Sequence, residues 1–233
     1  PASIASLAGH GVAALVRVNH GLRGLVPDLE AAVQPGLAAL VLPKVEDPGF
    51  VREVADAVAE LEDERGLPQG GVRLLLQVET PASLFVLPAI AAAHPRVAAI
   101  TLGPEDFAAA MGGVPDEALL LGPNLAVLAA ARAAGVLPMG FVGSIGDYAD
   151  VAGFAARIAQ ARRLGFTGAL AIHPAQVGPM NEGFAPSAAE RDWAERVMKG
   201  AEEARRDGRG AFRLDGKMID PPVLRRAEQI LAG

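Results

Sequence analysis

Short apolar runs alternate with longer, alanine-rich amphipathic stretches along most of this sequence. The runs are too short and too uniformly apolar for surface helices, so they predict strands buried on both faces. The predicted strands are residues 13–18, 38–42, 72–78, 97–102, 137–142 and 168–172, and the predicted helices are residues 48–64, 81–94, 122–134 and 150–164. Strand, crossover helix and parallel strand is the usual topology for such alternation, so the pattern predicts an α/β fold with a parallel sheet.

The composition narrows the class of protein. The 233 residues suffice for one large domain, and an aromatic share of 4% requires a core of Ala, Val, Leu and Ile. The net charge of −6 leaves no electrostatic footprint for nucleic acid, and the absence of cysteine excludes thiolate chemistry. With no signal-peptide pattern and no apolar run near the ~20 residues that span a bilayer, we expect a cytoplasmic protein without a membrane partner.

Polar residues follow the ends of the predicted strands. They are Arg17, Asn19, Lys44, Glu79, Asp106 and His173. The predicted βα units fit either a doubly wound sheet or most of a (β/α)8 barrel. No G-x-G-x-x-G fingerprint follows the first strand, and barrel active sites lie at the carboxyl ends of several strands, so the TIM barrel is favoured. The predicted barrel domain covers residues 1–175, and residues 176–233 form a C-terminal loop, helices and arm.

Two acidic residues predict a magnesium site. Glu79 ends the third predicted strand and Asp106 follows the fourth. Two converging carboxylates, completed by water and substrate oxygens, are what Mg²⁺ prefers, and without a cation they would repel or one would be protonated. The alternatives are that Glu79 is a surface residue at a helix N-terminus, and that Glu105 takes the place of Asp106.

Basic and amide side chains near these acids predict substrate binding. Arg17 lies within the first predicted strand, where a guanidinium requires an anionic partner. It is either a structural ion pair or a clamp on a substrate carboxylate or enolate oxygen. Asn19 adds a neutral hydrogen bond, and Lys44 is either a further substrate contact or an exposed strand-end lysine. His173 is more simply explained as a structural residue.

The order of the motifs resembles the citrate lyase β-subunit-like family (HpcH/HpaI aldolase/citrate lyase), which includes malyl-CoA and citramalyl-CoA lyases. The motifs are residues 16–19 (VRVN), 41–46 (VLPKVE), 77–80 (QVET), 102–107 (LGPEDF), 171–176 (AIHPAQ), 181–182 (NE) and 215–220 (DGKMID). The resemblance implies a TIM barrel of the pyruvate/phosphoenolpyruvate superfamily. It runs from about residue 12 to the C-terminus.

The resemblance also assigns roles. It implies that Glu79 and Asp106 bind Mg²⁺ and that Arg17 contacts the acidic end of the substrate. Asp220 is implied as the catalytic acid/base, on a C-terminal arm that completes the active site of an adjacent subunit in a homotrimer or hexamer. The implied reaction cleaves a 3-hydroxyacyl-CoA thioester, such as malyl-CoA, citramalyl-CoA or citryl-CoA, into acetyl-CoA and a 2-oxo acid. The reverse reaction forms the thioester from these two compounds.

One departure from the family pattern is clear. Members carry two further barrel strands before the segment that matches Arg17, and nothing in residues 1–11 corresponds to them. We therefore expect that the barrel formed by this chain lacks its first two strands. The sequence leaves open a metal-dependent pyruvate-type aldolase, a malyl-CoA thioesterase, and an inactive assembly subunit.

Overall fold

The structure is a computed structural model that describes residues 2–146, 148–206, 208 and 211–232. Its contacts divide the chain into two compact units, Pro1–Met180 and Asn181–Gly233. The sequence prediction places the corresponding boundary between residues 175 and 176.

The first unit is built on a parallel five-stranded sheet. Its strands are β1 (Ala14–Arg17), β2 (Leu37–Leu42), β3 (Arg73–Val78), β4 (Val97–Leu102) and β5 (Leu137–Met139), in that spatial order. A doubly wound sheet reverses its strand order at a switch point, and this sheet does not. The unbroken order is the one that an arc of a (β/α) barrel has.

One helix precedes the first strand of the first unit, and helices follow every strand. They are α1 (Ala2–Gly9), α2 (Leu22–Ala32), α3 (Pro48–Glu64), α4 (Pro81–Leu84), α5 (Leu87–Ala91), α6 (Pro104–Met111), α7 (Glu117–Ala134) and α8 (Val151–Leu164), with α9 (Val177–Phe184) at the boundary of the units. Aspartates at positions 47, 116 and 150 cap α3, α7 and α8 by accepting backbone N–H groups. These aspartates fix where the three helices begin.

Alternate residues of the strands face two different environments. Leu40, Leu74, Leu76 and Ile100 belong to the main core, which also contains the buried faces of α3, α5 and α7. Val41, Leu75 and Ala99 form a smaller cluster with Met139 and Leu170 on the opposite face. Since side chains alternate along a strand, Arg17, Gln77 and Thr101 lie on this second face, which would be the interior of a barrel.

Five sequence predictions about elements are wrong. The helix predicted over residues 122–134 begins at Glu117. Residues 168–172 form no strand and contribute only an isolated bridge between Gly168 and Met139. The fifth strand ends at Met139 rather than at residue 142. β1 and β5 are partly exposed rather than buried on both faces, because neither has a neighbouring strand on its outer side within the described sheet. The helix predicted over residues 81–94 is two short helices, since Pro88 lies at the start of α5.

Among the described residues, α7 is the helix with the length and apolarity of a membrane span. Its residues Leu120, Val127 and Ala131 are fully buried, and the helix packs against β4 and β5. One face of α7 therefore packs on the sheet, and the residues of its other face are exposed or half-buried. The prediction that the barrel lacks its first two strands stays a prediction.

The second unit is a helical pair with a small hairpin. It contains α10 (Ala188–Arg206), the antiparallel strands β6 (Phe212–Leu214) and β7 (Lys217–Ile219), and α11 (Pro221–Ala232). The predicted capping box before α10 is confirmed, since Glu190 accepts the backbone N–H of Ser187 and donates its own to the Ser187 hydroxyl. Its core includes Ala194, Val197 and Ile219.

Candidate metal centre

The carboxylates of Glu79 and Asp106 lie at the carboxyl ends of neighbouring strands. Glu79 directly follows β3, and Asp106 lies in the first turn of α6, which begins two residues after β4. The backbone N–H of Gly103 donates to the carbonyl of Val78 at 2.9 Å, so the strands stay paired up to the site. Pro104 suits the first position of α6, and acidic residues are favoured in its first turn by the helix dipole.

Glu79 is a buried carboxylate with an unsatisfied oxygen. Its exposed fraction is 4%, and Oε2 has no hydrogen-bond partner. Burial raises the pKa of Glu79, and the nearby Asp106 carboxylate raises it further. Lys44, Arg17 and the backbone N–H of Lys44 act in the opposite direction without cancelling the increase in pKa. A bound cation would compensate this desolvated, under-satisfied group.

Two basic residues complete the surroundings of the acids. Lys44 Nζ lies 3.3 Å from Asp106 Oδ1 with both side chains more than half exposed. Arg17 is close enough to lower the pKa of Glu79. The prediction that Arg17 is buried is wrong, because its side chain is exposed on the outermost strand of the described sheet. The structure therefore brings Arg17, Lys44, Glu79 and Asp106 together.

Glu105 is hydrogen-bonded to the segment that follows β5. Its Oε1 accepts the hydroxyl of Ser144 at 2.5 Å and the backbone N–H of Ile145 at 3.1 Å. These bonds hold the segment after β5 against the start of α6. Asp106 instead forms an ion pair with the exposed side chain of Lys44. The geometry thus favours Asp106 over Glu105 as the partner of Glu79.

Asn19 lies beside the site but is bound to α2. Its backbone N–H and its side-chain Nδ2 both donate to Asp28 Oδ2, at 2.7 and 2.8 Å. The side-chain amide nitrogen therefore has a structural partner. The predicted substrate contact of Asn19 stays a prediction and would use the amide oxygen.

His173 has a structural role in the first unit. Its Nδ1 accepts the backbone N–H of Ala175 at 3.1 Å, and its ring stacks on Tyr148 with centroids 4.4 Å apart. Gln176 accepts the backbone N–H of Ile172 and donates to the carbonyl of Ile145, so this turn is tied to the segment after β5. The structural interpretation of His173 is the one that these contacts support.

Asp220 belongs to the second unit, where it begins α11. Its Oδ1 accepts the backbone N–H of Val223 at 3.3 Å, and its carbonyl accepts that of Leu224 at 3.0 Å. Asp220 is therefore a helix N-cap, half-buried, whatever further role it has. The predicted acid/base role stays a prediction.

The donor set fits Mg²⁺. No group of three or more His, Cys, Asp or Glu side chains capable of holding a metal occurs in the described part of the chain, so the protein offers the two carboxylates. Mg²⁺ is commonly held by one or two carboxylates, with water and substrate oxygens filling the octahedron. The unpartnered Oε2 of Glu79 and the raised pKa of this carboxyl are the observations that a cation would explain.

Sequence reasoning missed Gly103. A Cβ atom at this position would lie 2.5 Å from Cγ and 3.1 Å from Cδ of Glu79, so the absence of a side chain lets Glu79 take its place. The φ of −90° at Gly103 is open to any residue, so the constraint is steric contact rather than backbone conformation. The signal in the sequence is a glycine between a strand and the Pro-Glu-Asp start of a helix.

Gly103→Ala is therefore expected to displace the Glu79 carboxylate and weaken Mg²⁺ binding by roughly 10- to 100-fold, the range seen when groups that orient metal ligands are changed. Isothermal titration with Mg²⁺ measures the effect. Gly122→Ala is the matched control, because a Cβ there meets no atom within 4 Å. Equal affinities for Mg²⁺ in the two variants would refute the role of Gly103.

Comparison with known proteins places this chain in a family. Residues 2–174 match the model of the HpcH/HpaI aldolase/citrate lyase family, and the chain belongs to it. The citrate lyase subunit beta of Escherichia coli is 35% identical over 209 residues, which cover 89% of this chain and 68% of that protein. The L-malyl-CoA/beta-methylmalyl-CoA lyase of Rhodobacter capsulatus is 33% identical over 211 residues, covering 82% of this chain and 65% of that protein.

Solved structures agree with the fold. CitE from Mycobacterium tuberculosis, in complex with magnesium, acetoacetate and coenzyme A, is 30% identical with a TM-score of 0.72, and the match covers 94% of this chain and 76% of that one. The five parallel strands and their helices thus match TIM-barrel structures of the CitE type. The predicted family is confirmed.

Proposed function

We propose that this protein is a magnesium-dependent carbon–carbon lyase that cleaves or forms a 3-hydroxyacyl-CoA thioester such as malyl-CoA, citramalyl-CoA or citryl-CoA. The products of cleavage are acetyl-CoA and a 2-oxo acid. The observation that carries the proposal is the pair of carboxylates, Glu79 and Asp106, at adjacent strand ends beside two cationic side chains. The related lyases and the magnesium- and CoA-bound relative support it.

Glu79 and Asp106 would hold Mg²⁺ with the substrate's oxygens. When bound, this ion supplies Lewis-acid polarisation of the substrate carboxylate and hydroxyl oxygens. Its presence would also relieve the repulsion between the two carboxylates, which raises the pKa of Glu79. The protein then keeps both groups ionised at neutral pH.

Cleavage breaks the bond between the carbinol carbon and the α-carbon of the thioester. The hydroxyl gives its proton to the ionised carboxylate of Asp220 and becomes the carbonyl of the 2-oxo acid, and the bonding electrons remain on the thioester as an enolate. Arg17 stabilises negative charge on the reacting oxygens. Asp220, on the arm of an adjacent subunit, returns a proton to the α-carbon and gives acetyl-CoA. Condensation is the reverse.

The substitution Asp220→Asn tests the proton-transfer role. Asparagine caps a helix about as well as aspartate, so α11 should remain folded while the acid is removed. We expect kcat to fall by about 10²- to 10⁴-fold, the usual contribution of general acid–base catalysis, with Mg²⁺ affinity unchanged. Steady-state kinetics measures kcat, isothermal titration measures the Mg²⁺ affinity, and circular dichroism checks that α11 remains folded. Turnover within twofold of the wild type would remove Asp220 from the mechanism.

Product analysis distinguishes the proposed reaction from its alternatives. The protein is incubated with malyl-CoA, citramalyl-CoA and citryl-CoA, with Mg²⁺ or with EDTA, and the CoA species are separated by mass spectrometry. The proposal predicts acetyl-CoA and the matching 2-oxo acid from at least one thioester, with Mg²⁺ only. Free CoA with an intact hydroxy acid would indicate a thioesterase and contradict the proposal. A 4-hydroxy-2-oxo acid is incubated in parallel, and cleavage of this acid without cleavage of any thioester would indicate a pyruvate aldolase.

A further inference from the structure

Lys44 touches both acids of the candidate metal centre with different parts of the same residue. Its backbone N–H is directed to the Glu79 carboxylate, and its ammonium lies 3.3 Å from Asp106 Oδ1. The residue adopts a φ of 54°, one of two positive values at non-glycine positions among the described residues. A left-handed lysine is uncommon, and such conformations persist where surrounding contacts enforce them.

The backbone contact and the side-chain contact of Lys44 differ in mobility. The backbone contact is fixed by the chain, because Val45 continues directly into pairing with β3 through its N–H and the carbonyl of Gln77. The ammonium is at the end of a flexible four-carbon side chain that is 51% exposed. Exposed ion pairs of this kind are weak and exchange readily. The backbone of Lys44 therefore stays in place while its ammonium is free to move.

A divalent cation and the ammonium compete for the same oxygen atoms. Mg²⁺ approaches a carboxylate oxygen to 2.0–2.1 Å and carries twice the charge, so it displaces the ammonium from Asp106. The displaced ammonium remains within a side chain's length of the bound ion. An anionic substrate that coordinates Mg²⁺ would then be reached by Lys44 from the adjacent strand end.

We infer that Lys44 is an exchangeable counter-ion of the metal centre: it pairs with Asp106 before the metal binds, gives up Asp106 to Mg²⁺, and then pairs with the carboxylate of the substrate. This inference rests on the proposed function. It distinguishes Lys44 from Arg17, whose place on β1 is fixed by strand pairing to Val41. It also assigns opposite effects to one residue, since Lys44 opposes metal binding and favours substrate binding.

The substitution Lys44→Met removes the charge and keeps the length of the side chain. A unit charge near a divalent ion at an exposed site weakens its binding by roughly 3- to 10-fold, so the variant is expected to bind Mg²⁺ that much more tightly. The KM for the thioester should rise by about 10-fold with little change in kcat, because the lost contact is made to the bound substrate. If Lys44 had a purely structural role, the variant would bind both Mg²⁺ and the thioester more weakly.

The measurement is isothermal titration with Mg²⁺ alone, followed by steady-state kinetics at saturating Mg²⁺. Arg73→Met is the control, since it removes one positive charge from the first residue of β3, about 20 Å from Glu79 at 3.3 Å per residue. That distance exceeds the Debye length at physiological ionic strength, so neither the affinity for Mg²⁺ nor the KM for the thioester should change. Lys44→Asn is a second variant, because asparagine tolerates the left-handed backbone well.

The outcomes separate this inference from the proposed function. Tighter Mg²⁺ binding with a raised KM in both Lys44 variants supports it. If the wild type binds Mg²⁺ and Lys44→Met binds it equally or more weakly, the inference is overturned. The assignment of the metal centre to Glu79 and Asp106 is then unaffected. Failure of the wild type to bind Mg²⁺ contradicts the proposed function itself.

Discussion

Replacing Glu79 by glutamine is expected to lower the affinity for Mg²⁺ by roughly 100-fold or more and to abolish metal-dependent turnover. Changes to residues that only support a metal ligand cost 10- to 100-fold, so loss of a ligand itself should cost at least as much. Glutamine keeps the volume of the side chain, and Gly103 leaves room for it. Titration calorimetry and product formation with and without Mg²⁺ measure the effect.

The same substitution should not unfold the protein. Glu79 is 4% exposed with one unpartnered oxygen, and its raised pKa means that its ionised form is disfavoured in the folded state. Between the usual pKa of 4.5 and the higher folded-state value, the folded protein binds more protons than the unfolded chain, so stability falls as the pH rises through this window. A neutral side chain removes that penalty, so the metal-free variant should melt at or above the temperature of the wild type.

Glu105→Gln is the matched control for Glu79→Gln. Glu105 lies next to Asp106, and glutamine retains the Oε1 acceptor that Ser144 and Ile145 use. The control should bind Mg²⁺ within about threefold of the wild type, since only a nearby charge is lost. Equal losses of affinity in both variants, or none in Glu79→Gln, would contradict the metal assignment.

Replacing Arg96 by methionine is expected to destabilise the fold by about 3–5 kcal/mol, the usual cost of breaking a buried ion pair by removing one partner. Arg96 and Glu62 are 5% and 0% exposed. They form two hydrogen bonds of 2.9 and 2.6 Å, and Glu62 also accepts the backbone N–H groups of Gly70 and Val72. The cluster joins the end of α3 to the starts of β3 and β4.

The melting temperature should fall by roughly 6–20 °C, given about 2–4 °C per kcal/mol for a chain of this size. Arg206→Met is the control, because Arg206 pairs with Glu202 at 3.8 Å with both side chains largely exposed. Such a pair contributes less than about 1 kcal/mol. Melting of Arg96→Met within 2 °C of the wild type would refute the role of the buried pair.

The ion pair of Arg96 and Glu62 should also affect how the stability of the protein depends on pH. Burial raises the pKa of Glu62, but hydrogen bonds from Arg96, Val72 and Gly70 outweigh it and hold the pKa below 4.5. The stabilisation is therefore complete above pH 4.5 and is lost as the pH falls through the lower folded-state pKa. In Arg96→Met this loss should become smaller, which acid denaturation curves of the two proteins would reveal.

Local signals predicted most of the first unit. Runs of apolar residues identified β1 to β4 because each is bounded by turn residues, and Asp47 marks the start of α3 by capping it. The predicted sixth strand failed for a non-local reason. Residues 168–172 have the composition of a strand, but their strand pairing is limited to an isolated bridge between Gly168 and Met139, and Ile172 remains 60% exposed.

The candidate site was predictable in its acids and less so in its details. Glu79 and Asp106 follow strands that are neighbours in sequence and in space, so their proximity follows from the topology. The left-handed backbone of Lys44 and its ion pair with Asp106 have no sequence signature. The contact of Glu105 with Ser144 spans 39 residues, so its effect on the choice between Glu105 and Asp106 required the structure.

The most direct test of the account is anomalous diffraction from crystals of the protein soaked with Mn²⁺, which takes the octahedral oxygen sites of Mg²⁺. The account predicts one peak within about 2.2 Å of a carboxylate oxygen of both Glu79 and Asp106, with the Lys44 ammonium no longer on Asp106. A peak elsewhere, or none between these two carboxylates at saturating Mn²⁺, would contradict it.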